Sequence, residues 1–346
     1  MAINENCTPW ESTFSADNYR KAYIDGIHNC LTRLNREAQL HRRNSMDVRL
    51  QERNRNVLKS LLGIDLLDAP SSLPPLLTKA GETDLAAVYR LTVYINDEIP
   101  FYALLHLPKS AKAPLPLIIA QHGGGGTPEL CSDLYGKNNY NGMVRRCLSR
   151  GAAVLAPQLL LWSTAESETQ RCHPIPYNRT KIDSQLRRFG SSITGLEVCG
   201  IHRCLDYICE LPDIDEERIG MIGLSYGGYF TLHTMALDQR IKAGYSAGAF
   251  NSRDAHCLCD WCYSGAAYHM QDAEVAALCA PRKLYLQVGM DDNVFDYRNA
   301  IAEADQAKAY YRQLNAEENI CFDVWSGGHT LSDHDHGFDF LFTALQ

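Results

Sequence analysis

A serine inside the pentapeptide G-x-S-x-G is the residue of this chain best suited to act as a nucleophile. The stretch Gly223-Leu-Ser225-Tyr-Gly227 follows an apolar strand-like run and precedes residues 229–237, whose composition predicts a helix. A strand-to-helix turn of this kind exposes the serine hydroxyl above the sheet, and it needs glycine on both sides because the turn is so tight. The sequence therefore predicts Ser225 as a catalytic nucleophile at the amino end of a helix.

Four consecutive glycines could stabilise the negative charge that such a reaction develops. Residues 123–126 are all glycine and follow His122 directly after an apolar run. Backbone N–H groups approach an oxyanion closely only where no side chain intrudes, so we assign the amides of Gly124 and Tyr226 as the donors. Which glycine of the run donates stays open. A P-loop is disfavoured because no Lys-Ser/Thr pair follows, and we expect His122 to be structural.

A serine hydroxyl needs a base to take its proton and an acid to orient that base. His329 follows a predicted strand within the small residues Ser-Gly-Gly-His-Thr, and Asp292 follows another predicted strand within Gly-Met-Asp-Asp. The order Ser225, Asp292, His329 is the one expected when each residue comes from the end of a different strand. Asp254, after the preceding strand, is the alternative acid and stays open.

A cysteine cluster suggests a metal site, but its spacing argues against one. Cys257, Cys259 and Cys262 form C-x-C-x-x-C, whereas structural zinc sites pair two well-spaced knuckles, and no fourth ligand is evident here. We therefore predict no metal and interpret these cysteines as thiols. Trp261, Tyr263 and Tyr268 nearby suggest an aromatic wall over the serine.

Charge and composition exclude several classes of partner. The chain has 346 residues and a formal net charge of −8, which makes nucleic acid a poor candidate. The first residues never form an apolar core of the kind found in signal peptides, and no apolar run approaches the roughly 20 residues that span a bilayer. Thirteen cysteines without an export signal indicate reduced thiols. We expect a cytoplasmic protein without a membrane partner; self-association stays open.

The hydrophobic pattern changes near residue 80. Apolar residues recur at helical spacing over residues 24–38 and 50–61, so residues 1–80 are predicted to be a helical extension. Residues 81–346 are predicted to be the catalytic domain. It begins with a hairpin of residues 85–95 and 99–107, after which short apolar runs alternate with helical stretches. That alternation predicts a mostly parallel twisted sheet of about eight strands with helices on both faces. In the helix predicted near residues 192–211, Glu197, Arg203 and Asp206 are expected to form an ion-paired surface.

Taken together, these motifs resemble those of the α/β-hydrolase superfamily, and more narrowly those of the bacterial dienelactone hydrolase and acetyl xylan esterase-like group. The resemblance covers residues 85–346. It rests on the His-Gly-rich run, G-x-S-x-G-G, Ala280-Pro-Arg282, Gly-Met-Asp-Asp292 and Gly-His329. It implies a serine esterase without a cofactor. Dienelactone hydrolases use a cysteine nucleophile, however, and Ser225 disfavours their substrate.

The function predicted on these grounds is hydrolysis of a small-molecule carboxylic ester through an acyl-enzyme on Ser225. The resemblance alone suggests a short acyl group and a carbohydrate-borne acetyl ester. One alternative is a peptidase of the prolyl oligopeptidase type, which the absence of a propeller-sized N-terminal region disfavours. Another is a non-catalytic binding protein with the same fold, which normally lacks part of the triad.

Overall fold

The computed structural model describes residues 16–136, 138–161 and 178–346. By its internal contacts the chain divides into two compact units. One contains the residues up to Met46 together with Ala267–His269, and the other contains Asp47–Ala266 and Met270–Gln346. The first 15 residues, on which the expectation about a signal peptide depends, lie outside the described part. Among the described residues, no helix has both the length and the apolar character needed to cross a membrane.

The first unit is built on one long helix, α1 (Ala16–Ser45). Near its end, the guanidinium of Arg42 donates to the carbonyl oxygen of Ala267, and a ring nitrogen of His41 lies 3.0 Å from the carbonyl oxygen of Tyr268. The second predicted helix, α2 (Gln51–Leu62), belongs to the other unit and ends at Gly63, whose φ of +64° forms a left-handed cap. The division therefore falls near residue 46, whereas a boundary at residue 80 would cut the first strand of the sheet.

The described part of the second unit contains a nine-stranded sheet in the order β1-β2-β3-β5-β4-β6-β7-β8-β9. Its first three strands are antiparallel to their neighbours, and β5, β4, β6, β7, β8 and β9 run parallel to one another. The strands are β1 (Leu76–Glu82), β2 (Ala86–Asn96), β3 (Ile99–Pro108), β4 (Leu115–Gln121), β5 (Ala153–Pro157), β6 (Ile214–Leu224), β7 (Ile241–Ala247), β8 (Lys283–Gly289) and β9 (Ile320–Trp325).

The predicted fold class, including the hairpin β2–β3, is confirmed. The additional strand is β1, which pairs antiparallel with β2 at the sheet edge. Six of its seven residues are exposed, so it lacks the buried alternation by which a strand is recognised in a sequence. Central strands behave differently, since every residue of β5 is buried. Strands buried on both faces read as continuous apolar runs, which is why the parallel part was predictable.

Helices cover both faces of the sheet. The helices after α2 are α3 (Pro128–Cys131), α4 (Met143–Leu148), α5 (Arg179–Arg187), α6 (Ile193–Ile208), α7 (Tyr226–Leu237), α8 (Ala266–His269), α9 (Asp272–Cys279), α10 (Tyr297–Gln313) and α11 (His336–Phe342). Of these, α4 and α11 contribute to an apolar core with β4, β5, β6 and β7, while α6, α7 and α9 pack on the opposite face. Because parallel strands end at one edge, the loops after β4, β6, β7, β8 and β9 all open there.

Candidate active site

Ser225 occupies the sharp turn between β6 and α7. Its backbone has φ +59° and ψ −122°, a conformation that residues with side chains rarely adopt. Its N–H donates to the carbonyl oxygen of Ala247 at 2.8 Å, which fixes the turn to the end of β7. A Cβ on Gly223 would lie 2.2 Å from the carbonyl oxygen of Gly227, so this part of the turn has no room for a side chain. The strained backbone holds Ser225 at the carboxyl edge of the sheet, where it is partly exposed.

The glycine run after β4 folds into a turn beside this serine. The amide of Gly126 donates to the carbonyl oxygen of Gly123 at 3.0 Å, and Gly125 has φ +68°. A Cβ on Gly123 would lie 3.0 Å from the Cβ of Ser225. The amide of Gly123 donates a hydrogen bond to the hydroxyl oxygen of Tyr140, at 2.8 Å. Within the described residues, the amides that the run leaves without a partner are therefore those of Gly124 and Gly125.

Tyr226, the other predicted oxyanion donor, is the first residue of α7. The first backbone bond of that helix runs from the amide of Tyr229 to the carbonyl oxygen of Ser225, at 3.0 Å. The amide of Tyr226 belongs to the first turn and precedes the amides that donate within the helix. The Tyr226 side chain is buried, and its hydroxyl donates to Asp260 at 2.9 Å. The side chain is thus held in place by a buried carboxylate.

The imidazole of His329 is hydrogen-bonded to the carboxylate of Asp292. Its Nδ1 lies 2.9 Å from Oδ2 of Asp292, whose side chain is only 1% exposed. The amides of Val294 and Phe295 donate to Oδ1 at 2.8 and 2.9 Å. Burial alone would raise the pKa of Asp292, but the hydrogen bond and charge of His329 and the two amides outweigh it, so this pKa lies below its ordinary value. Asp292 is therefore an ionised hydrogen-bond acceptor at neutral pH.

Backbone contacts bring the histidine and the serine to the same edge. A Cβ on Gly248, the residue after β7, would lie 3.3 Å from Cε1 of His329, so the imidazole lies against this glycine. The preceding residue, Ala247, accepts the amide of Ser225. A Cβ on Gly289 would lie 2.3 Å from the carbonyl oxygen of Gly327, which explains the glycine three residues before Asp292.

The alternative acid, Asp254, is exposed, and in the described part of the chain it makes no hydrogen bond to His329. His122, which we expected to be structural, is fully buried, and its Nε2 accepts the amide of Leu159 at 3.0 Å. Burial lowers the pKa of His122 to about 4, so the ring stays neutral and supports the glycine run.

Residues 139–141 were not predicted to belong to the site, but they hydrogen-bond both to the glycine run and to the loop that carries His329. The hydroxyl of Tyr140 holds Gly123, as described above. The side-chain amide of Asn139 donates to the carbonyl oxygen of His329 at 3.4 Å, and that of Asn141 donates to the carbonyl oxygen of Leu331. The amide of Leu331 in turn donates to the carbonyl oxygen of Asn139 at 2.9 Å. A cluster of Asn and Tyr before a helix was the only signal, and it is common in ordinary loops.

A buried charge network behind Tyr226 was also missed, and it corrects one prediction. Glu197 does not lie on an ion-paired surface, since its side chain is 3% exposed and bonds the guanidinium of Arg179 at 2.8 Å. Arg179 also bonds Asp260, at 2.6 Å, the same carboxylate that accepts the hydroxyl of Tyr226. Burial alone would lower the pKa of Arg179, but its two carboxylates raise it. Helical spacing could not reveal this, because the partners come from distant segments.

Aromatic rings line the histidine side of the site. The ring of Phe295 stacks on His329, with centroids 5.7 Å apart, and lies 4.2 Å from the ring of His256. Trp261, predicted as part of an aromatic wall, is buried and stacks on Tyr229 of α7 at 4.4 Å. It therefore supports the helix that follows Ser225.

The cysteine cluster differs from its prediction. Cys257 and Cys262 form a disulfide, with Cα atoms 6.7 Å apart, so these two are not thiols. A short 3-10 helix, Cys259–Trp261, lies between them, and the C-x-C-x-x-C spacing alone did not indicate that the two outer cysteines would pair. Cys259 is an exposed thiol. In the described ranges, no group of three or more His, Cys, Asp or Glu residues is arranged to bind a metal.

The sheet order, the serine at the β6–α7 turn and the loops that meet at the carboxyl edge define the class of protein: the chain has the α/β-hydrolase fold. No protein-family model matches the chain. It is 26% identical to the protein named Putative hydrolase YtaP from Bacillus subtilis (strain 168), over 260 residues that make up 71% of this chain and 82% of that protein.

Solved structures with the same fold include carbohydrate esterases. One is named as a putative acetyl xylan esterase from Bacteroides fragilis NCTC 9343; it has a TM-score of 0.64 and 16% identity, and the match covers 81% of this chain and 77% of that one. Another is acetyl xylan esterase 1 from Thermoanaerobacterium sp. JW/SL YS485, with a TM-score of 0.58, 14% identity and coverage of 86% and 94%. At these identities the likeness concerns the fold.

Proposed function

We propose that this chain is a serine esterase in which Ser225, His329 and Asp292 form a catalytic triad. The observation that carries the proposal is the hydrogen bond of 2.9 Å between His329 and the buried carboxylate of Asp292. The imidazole of His329 lies against the end of β7, to which the amide of Ser225 is also bonded. Acidic groups placed in this way orient a base and stabilise its protonated form. The esterases among similar folds and the hydrolase name of the relative agree with this assignment.

The hydrogen bond to Asp292 determines which nitrogen of His329 acts as the base. A carboxylate only accepts hydrogen bonds, so Nδ1 of His329 carries the proton donated to Asp292, and Nε2 is the basic nitrogen. Nε2 removes the proton of the Ser225 hydroxyl as the oxygen attacks the acyl carbon. It then protonates the departing alcohol, and later activates a water molecule that hydrolyses the acyl-enzyme.

The oxyanion of both tetrahedral intermediates would be bound by backbone amides. We assign the first donor to the amide of Gly124. The amide of Gly123 donates to Tyr140 and that of Gly126 closes the turn, which leaves Gly125 as the alternative donor within the run. Tyr226 supplies the second amide from the start of α7, where the helix dipole also favours negative charge. Because the groups are fixed before the reaction, they need little reorganisation during it.

The acyl group and the alcohol are the finer part of the proposal. A short acyl group, acetate above all, and a carbohydrate alcohol are supported by the acetyl xylan esterases among the similar folds. A panel of acetyl, butyryl and octanoyl esters together with acetylated xylose tests this part of the proposal directly.

The decisive test is replacement of the nucleophile. Ser225→Ala is expected to lower kcat on p-nitrophenyl acetate by about 10⁶, while Ser326→Ala, an exposed serine of the histidine loop, is the matched control and should retain full activity. A fluorophosphonate should add one covalent group to the wild-type chain and none to Ser225→Ala. Activity that survives in Ser225→Ala would remove this serine from the mechanism, and hydrolysis of a peptide but of no ester would favour a peptidase.

A further inference from the structure

The loop that follows β7 contacts the first turn of α7. Part of this loop is closed by the disulfide between Cys257 and Cys262, and the enclosed residues include Asp260 and Trp261. Both of these inner residues are 3% exposed, whereas Cys257 is exposed. The ring of Trp261 meets the ring of Tyr226 edge to face, with centroids 4.8 Å apart. The enclosed residues therefore belong to the buried surroundings of the helix that begins beside the nucleophile.

Asp260 is bonded from three directions. The hydroxyl of Tyr226 donates to its Oδ1 at 2.9 Å, and the guanidinium of Arg179 donates to its Oδ2 at 2.6 Å. The hydroxyl of Thr194, in α6, donates to the backbone carbonyl oxygen of Asp260 at 2.8 Å. A buried carboxylate that leaves its cationic partner is strongly destabilised, so Asp260 has little freedom to move. Tyr226 is thus bonded to a fixed point.

We propose that Asp260 is a positioning residue for the oxyanion hole and acts through the side chain of Tyr226. The inference rests on the proposed function, in which the backbone amide of Tyr226 binds the oxyanion. That amide and the phenol share one Cα atom, so the bond from the hydroxyl to Asp260 restricts where the amide points. Oxyanion donors stabilise the transition state best when they are aimed in advance at the developing charge. In this role Asp260 touches no reacting atom.

The strained turn before α7 explains why such an attachment is needed. Ser225, directly before Tyr226, has φ +59°, and a backbone of this kind persists only where its surroundings hold it. The bond from the amide of Ser225 to the carbonyl oxygen of Ala247 holds the turn to β7. The bond from the hydroxyl of Tyr226 to Asp260 holds the first residue of α7. The turn is therefore attached on both sides of the nucleophile.

The first test removes the hydroxyl of Tyr226 and keeps its ring. Tyr226→Phe should lower kcat on p-nitrophenyl acetate about 5- to 100-fold with little change in KM, because a misplaced donor costs less than a deleted one. The inhibition constant of a trifluoromethyl ketone should rise by a similar factor, since its adduct with Ser225 carries the same negative oxygen. Tyr310→Phe is the matched control, because the Tyr310 hydroxyl also donates to a buried carboxylate, that of Glu274 at 2.9 Å, between α9 and α10. It should retain both kcat and the inhibition constant.

The second test asks whether Tyr226 acts through Asp260. Asp260→Asn keeps the size of the side chain and removes its charge, which weakens its bond with the hydroxyl. If the two residues act together, Tyr226→Phe should lower kcat by a smaller factor in Asp260→Asn than in the wild-type chain. Active-site titration and the melting temperature correct each kcat for unfolded protein. Factors that simply multiply would overturn the assignment to Asp260.

Labelling with a fluorophosphonate separates failure of this inference from failure of the proposed function. If Ser225 of the wild-type chain is labelled and Tyr226→Phe leaves kcat and the inhibition constant unchanged, only the role of Asp260 is overturned. An equal fall of kcat in Tyr310→Phe would also overturn it, because loss of stability alone would then explain the result. If the wild-type chain is neither labelled nor active, the proposed function fails, and this inference fails with it.

Discussion

Replacing Tyr140 with phenylalanine removes one hydroxyl that touches the glycine run without touching Ser225. That hydroxyl accepts the amide of Gly123 at 2.8 Å, and both groups are buried. A Cβ on Gly126 would lie 2.2 Å from the hydroxyl oxygen, so the run is shaped around it. The variant therefore tests whether the oxyanion amides are held in place by this segment.

The magnitude follows from the hydrogen bond that is lost. A buried N–H left without a partner costs about 1–3 kcal/mol. If the turn relaxes to recover that bond, it misplaces the amide of Gly124. The transition state, where the oxyanion forms, is then destabilised more than the substrate complex. At about 1.36 kcal/mol for each factor of ten, kcat should fall roughly 5- to 150-fold, with KM little changed.

The matched control is Tyr311→Phe. The Tyr311 hydroxyl is also buried, but it donates to the carbonyl oxygen of Arg282, which precedes β8 at the opposite edge of the sheet. Both variants should lose a similar free energy of unfolding in urea. Only Tyr140→Phe should lose kcat on p-nitrophenyl acetate, measured with active sites titrated. Equal kcat in the two variants, or a change in KM alone, would refute the idea that Tyr140 positions the oxyanion loop.

Three further changes probe other parts of the molecule. Asp292→Asn should lower kcat by about 10⁴ whereas Asp254→Asn should not, and the reverse order would transfer the acid role. Arg179→Met leaves two buried carboxylates unpaired and should cost about 3–5 kcal/mol in urea unfolding, against at most about 1 kcal/mol for the more exposed Arg203→Met. Burial lowers the pKa of His106 to about 4 in the folded protein. Between about pH 6.5 and pH 4 the unfolded chain therefore binds a proton on this histidine that the folded chain does not bind, so the free energy of unfolding falls as the pH drops towards 4. His106→Gln should remove a share of that loss, on the order of 3 kcal/mol; identical losses in both proteins would contradict this account.

Local constraints explain why much of the site could be predicted. The turn at Ser225 and the glycine run are each encoded by a few consecutive residues, because a backbone that tight tolerates only glycine at certain positions. The buried parallel strands appear as apolar runs for a similarly local reason. The exposed edge strand Leu76–Glu82 has no such constraint and was missed.

Local sequence patterns were enough to predict the fold class, the candidate nucleophile and the order of the three triad candidates. The folded chain was needed to show which carboxylate lies beside His329 and that residues 139–141 hold loops as far as 190 positions away. It also turned Glu197 from an expected surface residue into a buried partner of Arg179. These outcomes depend on which distant segments meet when the chain folds, and the burial and pairing of a polar side chain follow from that meeting rather than from its neighbours in the sequence.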